Sequence, residues 1–427
     1  MCKNIIVILE LIVLASVTYA QGGWYSQTSG TNSLLMDVYF TDVNTGWVVG
    51  ITNTILHTTD SGNNWNPQSP PPSVNYYSVH FTDSQTGCAV GATVGGAGRI
   101  RRTTDGGNTW DIITPPASAY SLWSIYFTDA NNGWIAGGRE FAFPGTDPIR
   151  TIHYTSDGGY NWSTQLYQYD SLPLHAVHFV DSNTGCAVGE HGVIFWTTDG
   201  GNNWIEQTSG TVRHLWGVYL MDANTGWAVG VRGTILYTTD AGNNWIAQTA
   251  DTTYGFGEIY FTDDNNGWIV GSDPDNGIIL HTTDGGNTWN SQNTGTTNGL
   301  MSIYFTDADT GWAVGNIGTI LHTTTGGTGI IEDNNFTEVP ANFNLTQNIP
   351  NPFSHTTMIR FSLPRAEHVT LKVYNIIGQE VAALVDSKLE AGEHTVVFNA
   401  QSLPDGVYLY RLNAGNLIQT KRWVVLK

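Results

Sequence analysis

The sequence of 427 residues predicts an all-β fold, namely a seven-bladed β-propeller closed by an N-terminal outer strand and followed by a small Ig-like β-sandwich. Three observations lead to this prediction. A motif of eight residues, first found at residues 58–65 (TTDSGNNW), occurs six times in similar form. A second motif, first found at residues 40–47 (FTDVNTGW), occurs seven times. After about residue 336 both motifs stop, although short strand-like runs continue. A repeat period of 40 to 50 residues indicates a repeat architecture.

One repeat contains four short strand-like runs separated by turns. In the fifth repeat these runs cover residues 215–220, 227–230, 234–238 and 245–249, and they are rich in β-branched and aromatic residues. The intervening segments carry Asn, Asp and Gly, which favour turns. Four short antiparallel strands per repeat of about 40 residues are typical of a propeller blade.

The eight-residue motif lies at the turn between the third and fourth strands of each blade. Its Thr and Asp side chains can accept hydrogen bonds from the N–H groups of the turn, and its Trp can bury a large ring. We therefore interpret the repeated aspartates as structural and not as a catalytic group of carboxylates, since they would lie far apart around the periphery. These residues are Asp60, Asp105, Asp157, Asp199, Asp240 and Asp284.

The motif resembles the Asp-box (BNR repeat) of sialidases, sortilin-type receptors and some glycoside hydrolases. Over about residues 24–328, the longer pattern is similar to the photosystem II assembly/stability factor type of seven-bladed propeller. That resemblance implies the propeller fold for residues 21–328. We do not expect the photosystem role to transfer, because the C-terminal segment implies a different cell and compartment.

The last repeat lacks a good fourth strand, since residues 325–330 contain neither the Asp nor the Trp of the box. Residues 24–30 (WYSQTSG) match residues 204–210 (WIEQTSG), which include the fourth strand of another blade. The chain therefore predicts that residues 24–28 supply the missing outer strand. Such closure would remove two open sheet edges.

The two ends of the chain predict an export route. Residues 1–20 have the pattern of a secretory signal peptide, and residues 329–341 are predicted to be a linker. Within residues 342–427, the segments 347–353 (QNIPNPF), 370–381 and 421–427 resemble the type IX secretion C-terminal sorting domain. This resemblance implies contact with the type IX secretion machinery and a secreted or outer-surface location in a Gram-negative, Bacteroidetes-like bacterium. A carbohydrate-binding or adhesive sandwich is the alternative.

The formal net charge of −20 is concentrated in the predicted propeller, where residues 21–335 hold 28 acidic residues, seven Arg and no Lys. Such a surface disfavours binding to nucleic acid. We expect no transmembrane span in the mature chain, no cofactor and no metal. Cys88 and Cys186 fall two blades apart, so they are expected to pack as small apolar residues and not to form a disulfide.

Candidate binding residues are sought where the repeats differ. The loop at residues 137–150 is long, and five of the seven propeller arginines fall in two adjacent blades. An aromatic and arginine-rich sector on an acidic protein is a plausible recognition patch, although insertions and arginines are also tolerated on surfaces without a function. The predicted patch comprises Arg99, Arg101, Arg102, Arg139, Glu140, Phe141, Phe143, Arg150, Trp123 and Trp216, with Tyr120, Tyr167, Tyr169, His175 and His214 nearby.

The sequence favours a non-catalytic module that binds a protein or glycan partner. One alternative is a secreted glycoside hydrolase of the sialidase or xyloglucanase type, which would need an arginine triad or paired carboxylates. The non-repeat acids to test for that role are Glu140, Asp147, Asp170 and Glu190. A structural surface-coat protein is the second alternative. Ligand identity, oligomeric state and cleavage of the sorting domain stay open.

Overall fold

The computed structural model describes residues 23–68, 70, 74–139, 147–169, 171–249, 254–273, 276–328, 343–346, 348, 351–363, 365–376, 378–389, 392–401, 403–415 and 417–426. The chain divides into two compact units, Met1–Ile330 and Ile331–Lys427. The predicted signal peptide and linker lie outside the described residues. No helix in the described ranges is long and apolar enough to cross a membrane.

The first unit consists of short antiparallel strands. In chain order they are β1 (Tyr25–Gln27), β2 (Leu35–Phe40), β3 (Gly46–Gly50), β4 (Thr54–Thr58), β5 (Asn66–Pro67), β6 (Asn75–Phe81), β7 (Gly87–Ala92), β8 (Gly98–Thr103), β9 (Asp111–Ile113), β10 (Ser121–Phe127), β11 (Gly133–Arg139), β12 (Ile149–Thr155), β13 (Ser163–Tyr169), β14 (Leu174–Phe179), β15 (Gly185–Gly189), β16 (Ile194–Thr197), β17 (Ile205–Gln207), β18 (Leu215–Leu220), β19 (Gly226–Gly230), β20 (Thr234–Thr238), β21 (Ile246–Thr249), β22 (Gly255–Phe261), β23 (Gly267–Ser272), β24 (Gly277–Thr282), β25 (Asn290–Gln292), β26 (Leu300–Phe305), β27 (Thr310–Gly315) and β28 (Ile320–Thr324). Short 3-10 turns occur at Glu190–Gly192, Val231–Gly233 and Asn316–Gly318.

These strands form seven four-stranded sheets within the described residues. Six sheets take four consecutive strands, as in β2-β3-β4-β5, whereas the seventh has the order β1-β28-β27-β26. The first strands of the sheets contact one another in a closed cycle, from β2 through β6, β10, β14, β18 and β22 to β26 and back to β2. The fold is therefore the predicted β-propeller, with these seven strands surrounding a central channel.

The seventh sheet is closed by the N-terminal segment, as the sequence predicts. Strand β1 pairs with β28 through Tyr25 opposite His322 and Gln27 opposite Ile320. The preceding Trp24 is fully buried, and its Nε1–H donates to Oε1 of Gln292 at 2.9 Å. Strand β1 thereby closes the ring of sheets by pairing with β28.

Neighbouring sheets pack together through the Gly-Trp pair of the second motif, as at Gly46 and Trp47. The ring of Trp47 stacks on that of Phe81 in the next sheet with centroids 3.5 Å apart, and its Nε1–H donates to the carbonyl of Gly106. A Cβ at Gly46 would lie 2.5 Å from the ring of Phe40, so a side chain cannot be accommodated there. This packing accounts for the Gly-Trp pair of the motif. Cys88 and Cys186, which replace two of these tryptophans, are buried and free.

In the Asp-box turns, the Thr and Asp side chains form hydrogen bonds within the turn itself. In the fourth sheet, Thr197 Oγ1 donates to Asp199 Oδ1 at 2.9 Å and accepts from the N–H of Gly201 at 2.9 Å. Both oxygens of Asp199 also accept from Asn203, one from its N–H and one from its side-chain amide. The hydrogen bond from the Asn203 side chain holds the pKa of Asp199 below its usual range. These bonds fix the turn between the third and fourth strands.

The second unit is a β-sandwich. Its strands are β29 (Asn344–Leu345), β30 (Thr356–Leu363), β31 (Glu367–Asn375), β32 (Glu380–Leu389), β33 (Gly392–Asn399), β34 (Gly406–Ala414) and β35 (Leu417–Val425). They form one sheet of order β29-β30-β33 and another of order β32-β31-β34-β35. Side chains from both sheets, including Phe361, Leu371, Tyr410 and Trp423, share one buried core. Two sheets packed over a common core are the arrangement predicted from the alternating strands.

Candidate functional site

The central channel of the propeller encloses a cavity of about 690 Å³. It is lined by the seven innermost strands β2, β6, β10, β14, β18, β22 and β26, together with Glu190, His214 and Ser272. This volume lies within the range of about 300–1,000 Å³ that is usual for ligand sites. The channel has three layers, which we name the girdle, the acid layer and the mouth.

The girdle is a ring of seven aromatic side chains, each located one residue before the end of a first strand. Ring centroids of successive members lie 4.5 to 5.6 Å apart all the way round, a spacing typical of aromatic pairs. Burial lowers the pKa of His80 and of His178 to about 3, so both imidazoles are neutral near pH 7. The members of the girdle are Tyr39, His80, Tyr126, His178, Tyr219, Tyr260 and Tyr304.

The acid layer is organised by Asp37. Its Oδ1 accepts from Ser302 Oγ and from its neighbour Val38 N–H, each at 2.8 Å. Its Oδ2 accepts from Ser78 Oγ at 2.8 Å and from Val79 N–H at 2.9 Å. Burial raises the pKa of Asp37, whereas these four hydrogen bonds favour the carboxylate. Asp37 therefore joins three blades through one side chain.

Glu258 occupies the position of Asp37 in its own blade, since Asp37 pairs with Val49 and Glu258 pairs with Val270 in equivalent registers. Burial raises the pKa of Glu258 well above its usual range, and the charge of Asp37 raises it further. The N–H of Ile259 is the hydrogen-bond donor that favours its ionised form. The two acids therefore differ in environment, because four donors favour the carboxylate of Asp37 whereas burial disfavours the carboxylate of Glu258.

The mouth is the aromatic end of the channel, where the first strands begin. Tyr77 and Trp123 stack with centroids 4.3 Å apart, and Trp123 meets His175 edge-on at 5.4 Å. Trp216 completes the mouth with 42% of its surface exposed. The Nε1–H of Trp123 has no hydrogen-bond partner among the described residues. The mouth thus offers flat apolar surfaces to an incoming group.

The acidic side chain of Glu190, which lies outside the first strands, also reaches the mouth. Glu190 begins the 3-10 turn between the second and third strands of its blade, where His191 adopts a φ of 57°. Its carboxylate oxygens lie 3.5 Å from His175 Nε2 and 3.6 Å from His214 Nδ1. A hydrogen bond from His175 lowers the pKa of Glu190. Three residues that the sequence singled out, Glu190, His175 and His214, therefore meet at one place.

The predicted patch is divided between several environments. Trp123 and Trp216 lie at the mouth, whereas Arg101 and Arg102 are buried. Arg101 donates to the carbonyl of Ile100 and Arg102 to that of Gly158. Arg102 also lies over the ring of Tyr160 at 3.8 Å. Both guanidinium groups are buried, and that of Arg102 is bonded to the box turn of the next blade, so neither is available at the surface.

The remaining arginines of the patch lie away from the channel lining. Arg99 donates to the carbonyl of Gly98. Arg139 donates twice to the carbonyl of Asp147 and lies 4.5 Å over the ring of Tyr120, while Arg150 donates to Leu172. Tyr167 and Tyr169 contact each other on the outer strand β13 with centroids 5.0 Å apart. Glu140, Phe141, Phe143 and Asp170 lie outside the described residues. A ligand patch at these positions stays a prediction.

Sequence reasoning did not identify the girdle, Asp37 or Glu258. A signal existed, because the residue before the terminal Phe or Leu of each first strand is always Tyr or His. Acidic side chains stand at the fourth position from the end of two first strands, where the other blades carry Ser, Ala or Gly. Within the described residues, no group of three or more His, Cys, Asp or Glu side chains is placed to hold a metal ion.

Comparison with known proteins supports the assignment of both units. The Photosynthesis system II assembly factor YCF48 family matches at residues 17–113, 71–213 and 208–294, and the Secretion system C-terminal sorting domain matches at residues 348–426. No curated protein matches the chain.

Among solved structures, YCF48 bound to D1 peptide is 22% identical and superposes with a TM-score of 0.57, over 73% of this chain and 100% of that one. YCF48 from Cyanidioschyzon merolae is 20% identical with a TM-score of 0.56, over 70% and 98% of the two chains. The WD40 beta propeller domain of Doa1 is 10% identical with a TM-score of 0.55, over 72% and 96%. These likenesses show a shared propeller fold. The sorting domain indicates export by type IX secretion. Because the family match spans more than half of its residues, this chain belongs to the Photosynthesis system II assembly factor YCF48 family.

Proposed function

We propose that this protein is a secreted, non-catalytic propeller that binds an extended segment of a partner protein at the mouth of its central channel. The observation that carries the proposal is the mouth itself, where Tyr77, Trp123, His175 and Trp216 surround the entrance to a cavity of about 690 Å³. Aromatic side chains that combine flat apolar area with a polar edge are the usual anchors of protein recognition.

A solved relative favours a peptide as the ligand. A relative of this fold has been solved as YCF48 bound to D1 peptide, so a propeller of the family can hold a peptide. We propose the same class of ligand here, although not the same sequence.

Two of the three acids that line the channel, Asp37 and Glu190, are engaged by the protein in ways that favour binding over hydrolysis. A glycoside hydrolase needs two carboxyl groups that face the substrate, one as acid and one as base or nucleophile. All four hydrogen bonds to Asp37 come from the protein, and Glu190 is held between two histidines. Neither carboxylate is set up to activate water.

The C-terminal unit supports an extracellular role. Because the sorting domain indicates export by type IX secretion, we propose that the propeller works in the surroundings of the cell or on its outer surface. In this proposal residues 342–427 contact the secretion machinery, and residues 21–328 bind the partner. The acidic propeller would then meet its partner outside the cell.

The proposal is tested by selecting binders from a random-peptide display library on the immobilised full chain. We expect peptides whose affinity falls by about tenfold or more in Trp123→Ala and Trp216→Ala. Ile246→Ala is the matched control, since Ile246 is 61% exposed on the outer strand β21. Peptides that bind all three variants equally would contradict the proposal, as would turnover of substrates in a sialidase and glucanase panel. Binding to a glycan array that Trp216→Ala abolishes would instead establish a glycan ligand.

A further inference from the structure

We propose that the channel accepts a cationic side chain of the partner, an arginine or a lysine, with Glu258 as its counter-ion. This inference rests on the proposed function, since it names the chemical group of the partner that enters the channel. It depends on the charges of the lining, on the aromatic mouth and on polar groups that the protein leaves without partners.

The lining has an electrostatic preference for cations. Among the residues that the structure describes around the channel, none is lysine or arginine. Besides Glu258, the lining residues that can carry charge are two acids and four histidines: Asp37, Glu190, His80, His175, His178 and His214. The surrounding segment 21–335 holds 28 acids against seven arginines, which adds a long-range attraction for cations.

The mouth has the composition of a cation-binding site. Faces of Trp and Tyr rings attract ammonium and guanidinium groups through their quadrupoles. Tyr77, Trp123 and Trp216 provide these rings directly above the acid layer. A cationic side chain that passes them would exchange part of its hydration for aromatic faces before it meets a carboxylate.

Glu258 is the acid that lacks a fixed set of partners. The equivalent carboxylate of Asp37 accepts two serine hydroxyls and two backbone N–H groups, whereas the donor to Glu258 within the described part of the chain is the N–H of Ile259. Burial raises the pKa of Glu258, because it disfavours the carboxylate relative to the protonated acid. A cation beside it would stabilise the carboxylate and lower this pKa.

A second polar group in the channel is also unsatisfied. His80 is only 9% exposed, it lines the channel, and its Nδ1 has no hydrogen-bond partner among the described residues. Because burial holds the pKa of His80 at about 3, its ring is neutral and one of its nitrogens is an acceptor. A guanidinium or ammonium N–H is a suitable donor for it.

Binding is then coupled to the ionisation of Glu258. A cation beside this side chain favours its carboxylate, so any proton that Glu258 holds in the free protein leaves to solvent as the cation enters. The inference therefore predicts that proton release on binding, where it occurs, depends on Glu258.

The test uses isothermal titration calorimetry on the full chain at pH 7 with two capped tripeptides, acetyl-Gly-Arg-Gly-amide and its neutral citrulline isostere. Titrations in two buffers of different ionisation enthalpy count the protons released. We expect the arginine peptide to bind at least about tenfold more tightly than the citrulline peptide. Glu258→Gln should abolish both this preference and the proton release, whereas the exposed Glu206→Gln should change neither.

Equal affinities, an arginine preference that survives in Glu258→Gln, or proton release that survives in Glu258→Gln would each overturn the inference. So would the absence of saturable binding by the arginine peptide. The proposed function and the cation inference can fail independently of each other. If a library-selected peptide without Arg or Lys loses affinity in Trp216→Ala, the mouth binds its partner but the cation inference is wrong. If Trp216→Ala leaves the selected peptides unaffected while the arginine preference depends on Glu258, the reverse holds.

Discussion

Ser302 Oγ donates a 2.8 Å hydrogen bond to Oδ1 of Asp37, although 265 residues separate the two in the sequence. The bond joins the first strand of the last sheet to that of the first sheet. On its other oxygen Asp37 binds the next sheet through Ser78 and Val79. One carboxylate in the channel therefore connects three consecutive blades at the place where the chain closes its ring.

Replacement of Asp37 should destabilise the propeller. Asp37→Ala leaves two hydroxyl groups and two backbone N–H groups without their acceptor, and we expect a loss of about 3 kcal/mol in the free energy of unfolding. Urea denaturation of the full chain measures this loss. Asp111→Ala, on the exposed face of β9, is the control and should cost less than about 0.5 kcal/mol. Equal stabilities of the two variants would refute the role of Asp37.

The N-terminal strand should contribute as much to the stability of the propeller as any interior strand does. Trp24→Ala removes a fully buried ring that packs edge-on against Phe305 at 5.9 Å, and large-to-small changes of this kind cost about 3–5 kcal/mol. We expect a clear fall in Tm by calorimetry. Trp216→Ala serves as the control, since Trp216 is 42% exposed and should lower Tm little. A Trp24→Ala variant with the Tm of the parent would show that β1 does not seal the ring.

The Asp-box predicts a defined dependence on pH. The pKa of Asp199 is depressed in the folded state, so its contribution to stability is present above the ordinary value of 3.8 and is lost as pH falls through the folded value. Asp199→Asn places an amide donor against the amide of Asn203, and it should therefore lower Tm at pH 7. The difference from the parent should shrink below pH 3.8. A difference that persists unchanged in acid would contradict this account, with Asp111→Asn as the control.

Glu258 should show the opposite dependence. Its pKa is raised on folding, so the stability it contributes is present below the ordinary value of 4.5 and is lost as pH rises toward the folded value. Glu258→Gln keeps the shape but cannot ionise. The variant should match the parent near pH 4 and exceed it in Tm at alkaline pH, whereas the exposed Glu206→Gln should follow the parent throughout. A lower Tm for Glu258→Gln at alkaline pH would show that the channel prefers the ionised acid.

The architecture could be predicted from the sequence because its determinants are local and repeated. The Asp-box fixes a turn through bonds within a few residues, as between Thr197 and Gly201, and its loss after residue 324 shows where β1 is needed. The positions of Glu190, His175 and His214 near the channel could also be inferred from blade topology. Their mutual contacts required the structure.

The channel interior could not be derived in the same way. Asp37 and Glu258 lie on different blades, and nothing in either repeat shows that both face the axis. Arg102 shows the opposite problem. From the sequence, a charged residue on a strand is expected at the surface, yet the guanidinium group of Arg102 is buried against Gly158. A bulge near the start of the first strand, as between Tyr76 and Ser78, also interrupts the alternation of inward and outward side chains there.

The central claim is that the partner binds at the mouth of the channel, and one comparison tests it most directly. A library-selected peptide is titrated against the full chain carrying either Trp216→Ala at the mouth or Arg139→Ala in the predicted arginine patch. We expect Trp216→Ala to weaken the affinity by about tenfold or more and Arg139→Ala to change it by less than about twofold. Weakening by Arg139→Ala alone, with Trp216→Ala at parental affinity, would contradict the account and locate the site on the third blade.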